Sequence, residues 1–292
     1  MFEGVMVAIV TPFKGGKIDE GTYRRLIDYL IDNGVSGVVP CGTTGESATL
    51  SHEEHRRVTE IAIDAAKGRV PVVAGTGSNS TEEAIALTLH ARKAGADGAL
   101  MVSPYYNKPS QEGIYRHFQT VAEKAAPLPL ILYNIPGRTS SNMLPETIAR
   151  LAEIDNIVGV KEASGDLMQM TRIIELCGPD FTVISGDDGL TLPLLAIGGK
   201  GVISVAAHLV PREMVEMVDS FLAGDAARAC ELHYRLLPIF RAIFLEGNPI
   251  SVKTALGRLG VIDPEVRLPL CPMSEENRAK MKKIFIEYGL LK

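Results

Sequence analysis

No stretch of this sequence is long and apolar enough to span a membrane. The longest apolar runs, such as Leu190–Ile197, fall far short of the ~20 residues a spanning helix needs. No basic run precedes an apolar stretch at the N-terminus, so no signal peptide is expected and the cytoplasm is the expected location. The chain has no block of like charge and no low-complexity segment, which excludes disorder over most of its length. Its four cysteines (Cys41, Cys177, Cys230, Cys271) show no C-x-x-C spacing, and 292 residues need no disulfide staples, so reduced thiols are expected. With a net charge of −5 and scattered basic residues, the chain has no footprint for nucleic acid. What it does have is 46% hydrophobic and 22% charged residues, the profile of a soluble globular protein.

The order of elements repeats. A β-branched run is followed by a turn rich in Gly, Pro, Ser and Thr, and then by an amphipathic helix. The runs are Val5–Phe13, Gly37–Gly42, Val70–Gly77, Gly98–Pro104, Pro129–Ile135, Ile157–Ser164, Phe181–Asp188 and Gly201–Ala207. Between the first two, Tyr23, Leu26, Ile27, Leu30 and Ile31 share one helix face. Ser51 with Glu54 and Ser80 with Glu83 have capping-box spacing, and Gly34, Gly68 and Gly95 follow helical runs where a left-handed residue is wanted. Eight strand–helix units with near-continuous apolar strands predict a parallel α/β architecture, the (β/α)8 TIM barrel, with an open doubly wound sheet as the rival topology. From about Leu222 the alternation stops, and Ala226–Leu245, Pro249–Leu259 and Ser274–Tyr288 read as helices only. The expected division is a barrel over residues 1–224 and a C-terminal helical extension over 225–292, the latter as plain structural cover.

A barrel of this kind places its chemistry at the C-terminal strand ends. Those ends carry Thr11, Pro12, Thr43, Thr44, Gly45, Glu46, Tyr105, Tyr106, Tyr133, Asn134, Arg138, Lys161, Glu162, Asp187, Asp188 and Ser204. Lys161 interrupts a strand otherwise fit for burial. By strand alternation an inward Lys161 takes Gly159 and Ala163 with it, leaving room for a substrate carbon, while Val160 and Glu162 face the helices. A desolvated amine loses its proton readily and attacks a carbonyl to form a Schiff base; the competing reading is a buried lysine paired with Glu162 or Asp187. Tyr133 shares an inward face with Ile131 and Ile135, where its phenol can pass a proton or simply fill the barrel. Thr43-Thr44-Gly45-Glu46 offers hydroxyls and free backbone N–H groups to a carboxylate, or is an ordinary strand-to-helix turn. Arg138, just past the Tyr133 strand, suits a bidentate carboxylate contact or the surface. Gly75-Thr76-Gly77 lacks the third glycine of a dinucleotide loop and reads as a turn. His52 and His55, three apart on a helix, lack a third ligand nearby, so no metal site is expected. Cys41 has no histidine placed to activate it.

Gly42-Thr43-Thr44-Gly45-Glu46, Tyr133-Asn134-Ile135-Pro136-Gly137-Arg138-Thr139 and Gly159-Val160-Lys161-Glu162-Ala163-Ser164 together resemble the motifs of the dihydrodipicolinate synthase family, within the pyruvate-dependent Schiff-base class I aldolases. The resemblance covers essentially the whole chain, and the Gly-Arg-Thr is its more specific mark. It implies that Lys161 forms the Schiff base with pyruvate, and that Tyr133, Thr43 and Tyr106 relay protons, Tyr106 reaching in from a neighbouring subunit. It implies that Thr44 and the backbone near Gly186 and Ile203 hold pyruvate, and that Arg138 binds the carboxylate of L-aspartate-4-semialdehyde. No metal or organic cofactor is implied; the product feeds lysine and diaminopimelate synthesis, and the assembly is a homotetramer built as a dimer of dimers. His52 and His55 on one helix face, with Asn79 and Glu83 at i, i+4 on the next, can converge with Ser47, Ala48 and Tyr105. The resemblance matches that group to an allosteric lysine site. The rivals are a sister lyase acting on a sugar acid such as N-acetylneuraminate, which has no need of Arg138, a metal-assisted enolase-type barrel with Lys161 as base, and a non-catalytic sensor.

Overall fold

An extended run buried on both faces must find neighbours for its backbone N–H and C=O groups, and here eight such runs satisfy one another. In the computed structural model, which describes residues 2–291, they are β1 (Gly4–Ala8), β2 (Gly37–Val39), β3 (Val73–Gly75), β4 (Gly98–Val102), β5 (Leu130–Asn134), β6 (Ile157–Glu162), β7 (Thr182–Ser185) and β8 (Gly201–Ser204). All pair in parallel, in the order β2-β1-β8-β7-β6-β5-β4-β3. A parallel bridge between Val38 and Val72 joins the two ends, so the sheet is a barrel rather than the open doubly wound form. The ladders are uneven. That between β5 and β6 runs from Leu130 opposite Ile157 to Asn134 opposite Glu162. Those between β8 and β7 and between β2 and β3 are reduced to Val202 opposite Ser185 and Val38 opposite Val72.

The strands are shorter than the apolar runs. The far end of the Val5–Phe13 run leaves the barrel, and Phe13 instead pairs antiparallel with Ile18 in a two-residue hairpin. Past Ile9, whose N–H still reaches the Val39 carbonyl at 3.1 Å, the run has no neighbouring strand of matching length and becomes the loop over the barrel mouth.

Eight helices wrap the sheet: α1 (Glu20–Asp32), α2 (His52–Ala66), α3 (Thr81–Ala94), α4 (Gln111–Ala125), α5 (Pro145–Ala152), α6 (Leu167–Cys177), α7 (Thr191–Ala196) and α8 (Pro211–Leu222). On α1 the expected face is the buried one, with Tyr23, Leu26, Ile27 and Leu30 inside. The Ser51–Glu54 capping box forms at α2. That at α3 does not: Ser80 caps the Glu83 N–H, but the Glu83 carboxylate turns to Ser78 and His52. After α8 come α9 (Ala226–Ala242), α10 (Ile250–Arg258) and α11 (Glu275–Tyr288).

The apolar interior has three main parts. Met6, Ala8, Val39, Val73, Leu100, Ile131, Tyr133, Ile184 and Ile203 fill the barrel. One outer cluster joins β1, β2 and β8 to α1, α2, α8 and the extension through Val7, Leu30, Val58, Val202, Met214, Leu236 and Phe285. The other joins β4–β7 to α4, α5 and α6 through Met101, Phe118, Leu132, Ile148, Val160 and Ile173. Each fully buried aliphatic side chain contributes roughly 1.5–3 kcal/mol by leaving water.

Candidate functional site

The lysine strand places its side chains by alternation, with one interruption. Val160 packs in the outer cluster and Ala163 against the inner one, as expected, but Val158 also packs inward. The register shifts beside it, Leu130 facing Ile157 while Ile131 faces Gly159. An extra residue of this kind re-aims the side chains beyond it. It sets Lys161 opposite Tyr133, with the ammonium nitrogen 4.4 Å from the centre of the phenol ring. Gly159 is forced by crowding, since a Cβ there would lie 2.4 Å from the Thr182 carbonyl oxygen. Gly186 leaves space for the lysine itself: a Cβ would stand 3.0 Å from Lys161 Cε and 2.6 Å from the Ala163 methyl. Ile203, on the barrel's inner face, is buried.

Lys161 is 5% exposed, and burial lowers its pKa to about 8; the Asp188 carboxylate opposes that shift and the Arg138 guanidinium assists it. Among the described residues no carboxylate lies within 4.0 Å of its amine, which removes the reading of Lys161 as an ion-paired core lysine. The Glu162 carboxylate faces the helices and accepts from Asn134, Ser164 and Gln169, while Asp187 caps Gly189. Asp188, fully buried, accepts from Ser204 Oγ (2.5 Å) and from the N–H groups of Val205 (3.1 Å) and Ala206 (3.0 Å). Burial pushes the Tyr133 phenol up to about 12, countered in part by Arg138 and by the Thr43 hydroxyl.

Thr43, whose hydroxyl meets the Tyr133 phenol, also lines a cleft of about 530 Å³. It brings together Thr43, Arg138, Ser47, Ala48, His52, His55, Glu83 and Tyr105 of the expected residues. Lys161, Tyr133, Thr44, Gly186 and Ile203 do not line it; Lys161, Tyr133 and Ile203 lie on barrel strands, and Thr44 and Gly186 in the turns just past β2 and β7. Arg138 is exposed and, among the described residues, meets no carboxylate within 4.0 Å; Nη2 donates to the Asn248 carbonyl at 3.4 Å. His52 Nε2 sits 3.3 Å from Glu83 Oε1, and burial lowers the His55 pKa to about 4. Asn79 is outside the cleft, its amide donating to the Tyr105 carbonyl at 3.1 Å. Tyr106 stands apart: its backbone has φ 73°, and its side chain is 88% exposed. Cys41 is buried, with its thiol pushed up to about 12, so it is no nucleophile.

The extension is more than the plain cover expected. The Asn248 amide donates to Thr44 Oγ1 at 2.9 Å. The Lys253 ammonium, fully buried on α10, pairs with Glu46, whose other oxygen accepts the Arg267 N–H at 3.0 Å. Lys253 and Arg267 each lie 4.2 Å from the centre of the Phe13 ring. Asn248, Lys253 and Arg267 escape a reading of the sequence because nothing in their local context separates them from helix and loop cover; only the return of α10 to the barrel mouth brings them in. Glu46 is held at φ 56°, a signal visible only in the fold.

Comparison with known proteins adds an independent line. A family model described as the dihydrodipicolinate synthetase family matches residues 1–287. The chain is 58% identical over 291 residues to a 4-hydroxy-tetrahydrodipicolinate synthase of Syntrophus aciditrophicus, covering 100% of both. A crystal structure of a dihydrodipicolinate synthase superposes with a TM-score of 0.97 at 52% identity, over 99% of this chain and 100% of that one. A synthase from Cyanidioschyzon merolae, solved with lysine bound, superposes with a TM-score of 0.97 at 46% identity, over 99% of each chain.

Proposed function

The chain belongs to the dihydrodipicolinate synthetase family, and on that premise we propose roles for the residues around Lys161. The reaction is the condensation of pyruvate with L-aspartate-4-semialdehyde through a lysine Schiff base, giving 4-hydroxy-tetrahydrodipicolinate for lysine and diaminopimelate synthesis. The observation that carries the roles is the buried amine of Lys161, with no carboxylate within 4.0 Å among the described residues, against the Tyr133 ring, beside a cleft lined by Thr43 and by an Arg138 guanidinium that likewise meets no carboxylate. The neutral amine adds to the pyruvate ketone, and loss of water leaves the imine. Tyr133, Thr43 and Tyr106 form the relay that carries the protons of that exchange. Thr44 and the backbone at Gly186 and Ile203 hold the pyruvate carboxylate. Removal of a methyl proton gives the enamine, whose carbon attacks the aldehyde. Arg138 anchors the aldehyde's carboxylate, and the substrate's own amine then displaces Lys161 and closes the ring.

Tyr106, with its strained backbone and exposed ring, fits a site completed by a second copy of the chain, in a dimer-of-dimers homotetramer. Residues 1–224 form the catalytic barrel and 225–292 the extension, and the protein works in the cytoplasm. Ser47, Ala48, His52, His55, Asn79, Glu83 and Tyr105 form a site for the feedback inhibitor lysine. An ammonium suits Glu83 and the Tyr105 phenol, and a carboxylate suits the imidazoles. Calorimetry with millimolar lysine, with and without pyruvate, checks this: linked binding changes both heats, and no heat in either titration, with unchanged rates, refutes it.

The imine itself is tested by treating the protein with pyruvate and borohydride and weighing it. A stable pyruvyl adduct on the native chain and none on Lys161→Arg is expected. An adduct on Lys161→Arg refutes the assignment. Turnover with aspartate-4-semialdehyde then separates this reaction from sugar-acid cleavage.

A further inference from the structure

Behind Tyr133 and Lys161, on the helix side of their strands, lies a closed polar cluster. Resting on the roles assigned to those two residues, we propose that Glu162 is a positioning residue. It is the hub of an amide cluster with Asn134, Asn142 and Gln169 that holds the Tyr133 phenol and the Lys161 amine at one working separation. The same cluster ties both to the segment that carries Arg138.

The two strands are in a register that puts the cluster directly behind the site. Asn134 follows Tyr133 and Glu162 follows Lys161, and the two are themselves partners across β5 and β6. Alternation turns both away from the barrel, and both are fully buried. Glu162 Oε2 accepts from Asn134 Nδ2 at 3.0 Å and Gln169 Nε2 at 3.3 Å, and Oε1 accepts from the Ser164 N–H at 2.6 Å. Asn134 Nδ2 also donates to Asn142 Oδ1 at 2.8 Å, and its Oδ1 accepts the Met143 N–H at 3.0 Å. Asn142 and Gln169 exchange bonds of 2.8 and 3.1 Å. Asn142 lies four residues past Arg138, just beyond the helical turn Pro136–Thr139. The Glu162 carbonyl accepts the Gly186 N–H at 2.8 Å, which seats that glycine against the lysine stem.

Among the described residues Glu162 has no Lys, Arg or His within 4.0 Å, so neutral dipoles alone hold it. Apolar packing would fill this space without the desolvation cost of a carboxylate. What a fully satisfied network adds is a single rigid arrangement. Three donors converge on the carboxylate, and only an acceptor with no N–H of its own meets all three; an amide there must turn its NH2 toward one of them.

The test uses the full-length enzyme with Glu162→Gln. A misplacement of about 1 Å costs ~100-fold in rate, so kcat is expected to fall roughly ten- to a hundredfold. KM for pyruvate should stay within about threefold, and borohydride trapping should still reach completion, since the amine itself is untouched. A merely structural role would lower the melting temperature without that split. The exchange variant Glu162→Gln with Asn134→Asp returns a carboxylate to the cluster from the opposite strand. The Asn142 and Gln169 amides can reverse together to serve it, and its kcat should recover about tenfold over the single variant. A Glu162→Gln kcat within about twofold of native, or an exchange variant no faster than the single, overturns the proposal. If Glu162→Gln does not fold, Gln169→Met at the half-buried rim decides: a roughly three- to tenfold loss of kcat at constant pyruvate KM supports the hub, and an unchanged kcat overturns it. Trapping on the native enzyme separates the two levels. An adduct with unchanged variant rates sinks the hub alone, and no native adduct sinks the imine reading together with it.

Discussion

Lys253→Met should cost this protein much of its stability, and adding Glu46→Leu should restore most of it. Lys253 is fully buried and Glu46 is 4% exposed, so removing the ammonium leaves a carboxylate in the interior with only the Arg267 N–H as a strong partner. Breaking one side of a buried pair costs ~3–5 kcal/mol, whereas replacing both sides with apolar groups is often neutral or stabilising by ~1–4 kcal/mol. Two bonds lost in the double variant, from Lys253 Nζ to the Glu265 carbonyl (2.8 Å) and from the Arg267 N–H to Glu46 (3.0 Å), set a further ~2 kcal/mol against full recovery. The single variant should therefore fall at least ~3 kcal/mol below native, and the double within ~2 kcal/mol of it. Urea unfolding followed by far-ultraviolet circular dichroism is the assay, because the chain has no tryptophan to report by fluorescence. Protein concentration must be equal throughout, since any association adds to apparent stability. A single variant within ~1 kcal/mol of native, or a double less stable than the single, would refute the reasoning.

Arg138→Ala should weaken use of aspartate-4-semialdehyde by about 1.5–3 kcal/mol, roughly ten- to over a hundredfold, while pyruvate trapping stays near normal; an equal loss of trapping contradicts the assigned role. Mixing Tyr106→Phe with Lys161→Ala under subunit exchange should regenerate activity, because a mixed dimer contains one site with both native residues; no recovery despite proven exchange counts against the shared site. Burial brings the Lys161 pKa down to about 8, and only the neutral amine attacks. The rate of imine trapping should thus fall about tenfold per pH unit below pH 8 and level off above it, and a flat profile from pH 6 to 9 would show that the amine is not titrating there.

The barrel is legible in the sequence because its signal is repetition: eight β-branched runs separated by helical periods admit few architectures. The inward set Ile131, Tyr133, Lys161 and Ala163 follows from alternation. Val158 does not, since a bulge depends on how Leu130 and Ile131 meet the neighbouring strand, which period-two reading cannot see. Phe13 reads as part of the first strand because an aromatic so soon after Ile9 and Val10 looks like its continuation across Thr11-Pro12, yet it pairs with Ile18 of the hairpin rather than with a barrel strand. The Ser80–Glu83 box fails for a related reason. A carboxylate at that spacing takes the better partners, and His52 reaches it from a separate helix. Alternation turns Glu162 outward but gives it no purpose, because Asn142 and Gln169 become its neighbours only after two loops have closed.

The uneven ladders divide the barrel into unequal halves. β8, β1 and β2 form a three-stranded piece covered by one apolar cluster, β3 to β7 a five-stranded piece whose larger part is covered by another, and the two meet at the short seams Val202–Ser185 and Val38–Val72. Thr43, Thr44 and Ile203 ride on the first piece, Tyr133, Arg138, Lys161 and Gly186 on the second. Such pieces can behave as separate cooperative units in native-state hydrogen exchange, with the seams opening at lower free energy than either interior. Slippage along the seams leaves each piece intact but changes how far the Thr43 hydroxyl stands from the phenol opposite. On the proposed relay, breathing of the sheet would alter the proton path across the site, and exchange of the Gly75 amide, which donates to the Pro40 carbonyl at 2.8 Å across one seam, would report it.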